Sequence, residues 1–417
     1  MPVFAHRLRA SVIVAYVAFV LTGVSASVGA VVLPAQIVDY EVDRQTIGLT
    51  FFTFSAAFFL AGATTGWLMD RFGTRATLVA GSVTYVAAAL VLATRPSFVV
   101  LVAIQLLAGY GTGIVESVLQ AYLAGLPSQT ARLNLLHAFF GVGALIGPLL
   151  ATWMLSWTSW TAVWLLLGLL AVPVALAYAL AFPARSTDVE PGPVAEGSGG
   201  ADGVGDEPVA AVIESRGLLG ATVRQTGVVL AAVFLTVYVG LEMGVGNWGV
   251  NYLVEHQGLT DGLAGGTLSG YWLGLTIGRF VISPVAARLG WTVARMTSVC
   301  LLGVVAAGAV VSVSPVDPLA MVGFAVLGFF LGPLFPTAVA VVPQLTTPRQ
   351  VPTAVGLMNA VSVIGGSALP WLAGLLGDVV GIWTLVPFAT ALAVVQLLLW
   401  RGVVARMRDR TILAHAD

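Results

Sequence analysis

The chain has 417 residues, 58% of them hydrophobic and only 9% charged, with a net charge of −1 and one cysteine. A soluble domain of this size needs a more highly charged surface, and nothing in the charge balance calls for a nucleic-acid partner. The lone Cys300 excludes an intrachain disulfide and a thiolate metal cluster, so neither a metal nor a cofactor is expected.

Twelve apolar stretches fill most of the chain, at about 11–34, 46–68, 76–94, 97–125, 131–156, 160–182, 226–255, 262–287, 292–313, 317–344, 350–376 and 381–400. Some twenty residues at 1.5 Å rise cover the roughly 30 Å hydrocarbon core, so each stretch predicts a membrane-spanning helix. Arg7 and Arg9 precede span 1 as in a signal peptide, but the apolar run continues without a small-residue cleavage site, which predicts a retained anchor. Fifteen of the eighteen basic residues, all arginines, fall in every second loop or at the ends, while Arg44 and Arg95 lie in the alternate loops and Arg279 inside span 8. Loops retained on the cytoplasmic side keep positive charge, so both termini are expected there.

Ionisable groups inside spans are costly and therefore functional candidates. Glu116 of span 4 shares a polar and small stripe with Gln105, Gly109, Thr112, Gly113 and Gln120, all within about 60° on a helical wheel. In span 5, His137 shares a face with Gly141, Ala144 and Pro148, with Asn134 at its edge. Trp153, Trp157, Trp160 and Trp164 read as an interfacial belt. Residues 183–225 lose the apolar pattern and carry prolines, glycines and acids, which predicts a disordered cytoplasmic linker between an N-terminal bundle (1–182) and a C-terminal bundle (226–400), followed by a tail (401–417). Span 7 places Glu242 near its middle among Gly240, Gly244, Gly246 and Gly249, with Asn247, Trp248, Asn251 and Tyr252 in its outer half. Counting from the terminal ends puts Glu116, His137 and Arg279 all roughly 10 to 14 Å deep, so a Glu116–Arg279 pair with His137 nearby is expected when the cytoplasmic side is shut.

The two sets of six spans can be laid over one another. His137 lies eleven residues before Pro148, and Asn359 eleven before Pro370; Gly109 and Gly113 fall on Gly328 and Gly332, and Arg71-Phe72-Gly73 on Arg288-Leu289-Gly290. The agreement in order suggests a duplication, and two parallel halves with a site between them near the midplane are one architecture of secondary transporters.

The loop after span 2 carries Gly66, Asp70, Arg71, Gly73 and Arg75. It resembles the signature loop of the major facilitator superfamily, G-x-x-x-D-R-x-G-x-R, at every fixed position. That resemblance implies an all-α membrane protein of 12 transmembrane helices in two pseudo-symmetric six-helix bundles, with Gly66 allowing close helix approach and Asp70, Arg71 and Arg75 closing the cytoplasmic side. The runs GYGTGIVESVLQAYLAGLP, RLNLLHAFFGVGALIGPLL and YVGLEMGVGNWGVNYL resemble the fucose and glucose/galactose permease group. By that resemblance Glu116 is the cavity carboxylate that binds substrate or a proton. Span 1 offers Ser25, Ser27 and Gln36 where proton-symporting fucose carriers have an aspartate, so a proton, a sodium ion and simple facilitation all stay open as coupling modes.

The expected function is alternating-access transport of a small polar solute, a sugar in the favoured reading, by a monomer in a bacterial cytoplasmic membrane. Substrate contacts are expected from Gln105, Glu116, Gln120, Asn134, His137, Glu242, Asn247, Trp248, Asn251, Tyr252, Arg279 and Asn359; gating from Asp70, Arg71, Arg75 and Arg279; and any proton from Glu116. The alternative is a proton-coupled drug or metabolite efflux antiporter, because Gly143 to Pro148 matches the core of a glycine-proline motif of such exporters. Phosphate-binding loops, zinc-spaced histidines and nucleophile elbows are absent, so no enzyme is expected.

Overall fold

A computed structural model describes residues 2–124, 126, 129–184, 220–313, 317–347 and 350–407. Most of the expected linker and the tail beyond residue 407 lie outside the described residues; at the linker's end, 220–223 form a helical turn. The described residues form helices and connecting turns, without strands.

Spans 1 to 6 run over Pro2–Tyr40, Leu49–Ala93 (two passes), Phe98–Ala124, Gln129–Leu155 and Trp160–Ala181, and spans 7 to 9 over Thr226–Asn251, Asp261–Arg288 and Val293–Val313. Span 10 is broken into Asp317–Leu331, Leu334–Ala340 and Val342–Leu345; spans 11 and 12 are Val351–Val379 and Leu385–Val404. Among the described residues, ten stretches are long and apolar enough to cross a membrane by hydropathy alone. One of these, Arg44–Ala93, holds spans 2 and 3, which part at Gly73, where φ 83° and ψ 166° suit only glycine. Span 8, diluted by Arg279 and small polar residues, is the twelfth. Span 10, expected continuous, breaks at Gly332-Pro333 because the proline lacks the amide hydrogen that would continue the ladder. An even number of passes leaves both described ends on one face, called here the terminal face.

The halves repeat one packing scheme. Span 1 packs on span 5 as span 7 does on 11; 2 on 4 as 8 on 10; 3 on 6 as 9 on 12. Matching glycines do the same work in each. A Cβ on Gly143 of span 5 would collide with the Val20 backbone of span 1, and one on Gly365, at the same register of span 11, with the Thr236 backbone of span 7. Such backbone-to-backbone approach replaces the hydrophobic drive that lipid cannot supply. The loop glycines agree as well, since Gly73 and Gly290 both take positive φ. Across the halves, span 5 packs on span 8 and span 2 on span 11.

Candidate functional site

The face opposite the termini is sealed across the halves. Span 1 ends at Tyr40, and after Asp43 caps the short helix Arg44–Ile47 by accepting from the Thr46 amide at 2.7 Å, Arg44 is delivered to the seam. The bonds from Thr46 hold the Asp43 carboxyl below the usual carboxylate range. Arg44 pairs with Glu255 at the end of span 7 and, at 3.0 Å, with Asp378 at the end of span 11. The Gln45 amide donates to Asp378 at 2.8 Å, and the Trp371 indole donates to the Gln45 carbonyl at 3.1 Å. Beneath these bonds Phe51 meets Trp248 and Phe52 meets Trp371 edge-on, with centroids 6.0 and 5.9 Å apart. Glu255 lies on a π-helical turn, Tyr252–His256, that finishes span 7. A crevice of about 980 Å³ lies at this face, with Asp39, Arg95, Asn251, Glu255 and Asp261 in its wall.

This seal absorbs three expected substrate contacts. Trp248 is fully buried, its indole donating to the Pro370 carbonyl at 2.7 Å. Tyr252 is fully buried and accepts from Gln257, and Asn251 is buried and donates to Glu255 at 3.0 Å. In this arrangement they help to hold the outer half shut: Trp248 and Tyr252 are spent on protein contacts, and Asn251 stands in the wall of the crevice. Sequence reasoning missed Arg44; its signal was its place, as one of two arginines in loops otherwise free of them. The other, Arg95, holds Asp39 through two bonds at 2.6 and 2.7 Å within the N-terminal half.

Among the described residues, no ion pair like that of Arg44 joins the halves at the terminal side. Asp70 and Arg71 are exposed, and Arg75 donates to the Phe182 carbonyl of its own half at 2.8 Å. A Cβ on Gly66 would meet nothing within 4 Å, so the close approach expected there is not made in this arrangement. The molecule is closed at the face opposite the termini and parted at the terminal side.

In the interior, Arg279 does not pair with Glu116. Its Nη2 lies 3.3 Å from Glu242 Oε1, and its Nε reaches the Gly332 carbonyl, 3.4 Å away, that the break in span 10 leaves unused. The Tyr271 hydroxyl donates to the Glu242 carbonyl at 3.1 Å, and the buried Tyr238 hydroxyl sits beside the pair. The Glu116 pairing is expected when the cytoplasmic side is shut; with the terminal side parted, Arg279 instead reaches the carboxylate of the adjacent span 7. Glu242, 8% exposed in its side chain, and Arg279, 27% exposed, thus neutralise one another within the C-terminal half. His137 lies edge-on to Phe19 of span 1 and within electrostatic reach of Arg279, bringing spans 1, 5 and 8 together.

Glu116 carries no ion pair or hydrogen bond among the described residues, and neither do the side chains of Gln105, Gln120, His137, Asn247 and Asn359. Gln105, Glu116, Gln120 and Asn247 are half-buried, and His137 and Asn359 exposed. The Asn134 side chain lies outside those described.

The family profile described as Major Facilitator Superfamily matches residues 15–250 and 230–412. The chain is 24% identical over 394 residues to "Bypass of stop codon protein 6" of Saccharomyces cerevisiae, covering 90% of this chain and 78% of that one. It is 26% identical to the "Multidrug resistance protein B homolog" of Mycobacterium tuberculosis over 146 residues, 34% of this chain and 27% of that one. Among solved structures, a bacterial homolog of the human lysosomal transporter Spinster in an inward-facing, unoccupied conformation superposes with a TM-score of 0.75 at 14% identity, covering 97% and 99% of the two chains. The E. coli fucose:proton symporter superposes with a TM-score of 0.63 at 18% identity, covering 94% and 98%.

Proposed function

The chain belongs to the major facilitator superfamily, and on that footing we propose that it carries a small neutral polar solute, a sugar in preference to other classes, between its two halves. The observation that carries this reading is the set of unpartnered amides. Gln105 and Gln120 of span 4, Asn247 of span 7 and Asn359 of span 11 lie in membrane-spanning helices of both halves, and their side chains make no hydrogen bond among the described residues. A polar group left dry in lipid costs several kcal/mol, so such groups persist where water or a ligand satisfies them. Uncharged donors and acceptors in both halves match a polyhydroxylated solute. The fold shared with a fucose:proton symporter supports the class without fixing it.

The cycle follows from the asymmetry of the two faces. In the arrangement seen, the Arg44 clasp is made and the terminal side is parted, so solute exchanges with the terminal side, which the arginine distribution assigns to the cytoplasm. Closing that side brings Asp70, Arg71 and Arg75 to the second half while the clasp breaks. Glu116, an uncompensated carboxyl, is the group assigned to a coupling proton; on closure Arg279 becomes available to it as a partner, so protonation tracks the conformational change. The efflux reading is retained as a competitor because the Gly143–Pro148 motif and the partial likeness to a multidrug resistance homolog favour it.

Proteoliposomes decide between them. Saturable uptake of a neutral hexose supports the sugar reading. Export of hydrophobic or cationic drugs with no hexose uptake refutes it.

A further inference from the structure

The terminal face of the C-terminal half carries charge of one sign. Arg224, Arg288, Arg295, Arg401 and Arg406 lie there, whereas every acid described in that half stands elsewhere: Glu242 in the interior, and Glu255, Asp261, Asp317 and Asp378 at the opposite face. Two of these arginines are brought together by neighbouring helices. Spans 9 and 12 pack on each other and run in opposite directions, so span 9 begins and span 12 ends at the terminal face. The Trp400 indole of span 12 donates to the Ala294 carbonyl of span 9 at 3.2 Å, which sets the next residue of each helix, Arg401 and Arg295, at the same level.

Both arginines are exposed, and neither side chain makes an ion pair or hydrogen bond among the described residues. Arg295 lies over the Trp291 ring, 4.9 Å from its centroid, a cation on an aromatic of the kind that marks a membrane interface. Each arginine also ends an apolar stripe. Val394, Leu398 and Arg401 stand at i, i+4 and i+7 on one face of span 12, and Arg295, Leu302 and Ala306 at i, i+7 and i+11 on one face of span 9, all of them exposed. Spans 9 and 12 take no part in the packing across the halves described above, so these stripes meet lipid.

We propose that the terminal ends of spans 9 and 12 form a seat for an anionic phospholipid, its phosphate held by Arg295 and Arg401 and its acyl chains lying on the two apolar stripes. Basic clusters at the cytoplasmic ends of membrane helices recognise anionic headgroups, and the arginine distribution assigns the terminal side to the cytoplasm. An acidic peptide, such as the linker with its seven acids within 185–219, would satisfy the charges but leave the stripes beneath them unused. A phospholipid satisfies both. The seat requires only that the chain span a membrane and is independent of what it carries.

Native mass spectrometry of the full-length protein, released from micelles doped with either phosphatidylglycerol or phosphatidylcholine, tests the seat. The parent should retain phosphatidylglycerol several-fold more than phosphatidylcholine. Arg295→Gln combined with Arg401→Gln should bring that retention down to the phosphatidylcholine level, with an unchanged size-exclusion profile, whereas Arg9→Gln, which removes an exposed arginine of the N-terminal half, should leave it as in the parent. Equal retention of the two lipids by the parent, or a loss in Arg9→Gln as large as in the double variant, overturns the seat. Displacement of phosphatidylglycerol by glycerol phosphate at matched concentration makes this a site for soluble anions and overturns it too. Retention that emerges only after the seven linker acids are changed to their amides makes the linker the occupant, with the same consequence.

Discussion

Removing the Arg44 side chain should release the face opposite the termini. Arg44 and Asp378 are 18% and 19% exposed in their side chains, so their bond at 3.0 Å is partly shielded from water and contributes about 1.5 kcal/mol, as charged hydrogen bonds do. Glu255 is 42% exposed, so its pairing is screened and adds no more than about 0.5 kcal/mol. Asp378 keeps the Gln45 amide after the substitution, which prevents an orphaned carboxylate from enlarging the effect. Arg44→Ala therefore weakens the closed seal by about 2 kcal/mol, roughly a 30-fold shift in the ratio of closed to open molecules. The only native cysteine, Cys300, is buried, so Cys300→Ser is a clean background for spin labels at Val38→Cys and Val380→Cys, exposed positions on opposite sides of the seam. Pulsed dipolar spectroscopy should show a longer-distance population growing in Arg44→Ala. Asp378→Ala should give a similar shift, and the double variant little beyond either, because the substitutions remove one interaction. An unchanged distance distribution in Arg44→Ala, or full additivity of the two substitutions, refutes the clasp.

Glu242→Gln should lower the thermal midpoint by destabilising the fold about 2 to 3 kcal/mol, the low end of what a broken buried pair costs given that Arg279 keeps some exposure, and Glu242→Gln with Arg279→Gln should regain most of it in the same melt. Asp70→Asn should slow transport while leaving equilibrium substrate binding within a few-fold; equal loss of both in paired flux and binding assays would refute its gating role. Gly143→Val and Gly365→Val should each cost folded yield in size-exclusion profiles, because both drive a side chain into backbone across a helix pair, whereas Gly66→Leu should leave the profile intact and reduce turnover, since open space surrounds it only while the terminal side is parted.

What the sequence revealed and what it hid divide along one physical line. Twelve spans, the repeat and the loop glycines were legible because each is set by local rules: hydropathy over twenty residues, proline and glycine backbone limits, and a fixed offset between duplicated segments. Even so, span 8 is too dilute for hydropathy alone and span 10 looks continuous until Pro333 is read as a break. Partnerships between side chains on different spans depend on helix rotation, tilt and reach, none of which linear counting supplies. Linear counting accordingly says nothing of the Glu242 partner that Arg279 takes when the terminal side is parted, and Arg44, noted only as a loop charge, joins three elements. Trp248 shows the same limit from another side, since an aromatic among asparagines reads as a substrate contact, yet in this arrangement its indole is spent on the Pro370 carbonyl.

The duplication bears on both of these partnerships. The halves share packing glycines and loop geometry but not charge. The complete signature loop has only a remnant in the second half, where Ser283 and Ala287 replace the glycine and the aspartate. The buried Glu242–Arg279 pair falls in the second half and the solitary Glu116 in the first. Placing the only cross-half clasp seen among the described residues at one face, and the signature charges at the other, lets the closure of each face be set by its own residues. Each barrier is then worth a few kcal/mol, large enough to hold one face shut and small enough for a bound solute or a proton to tip.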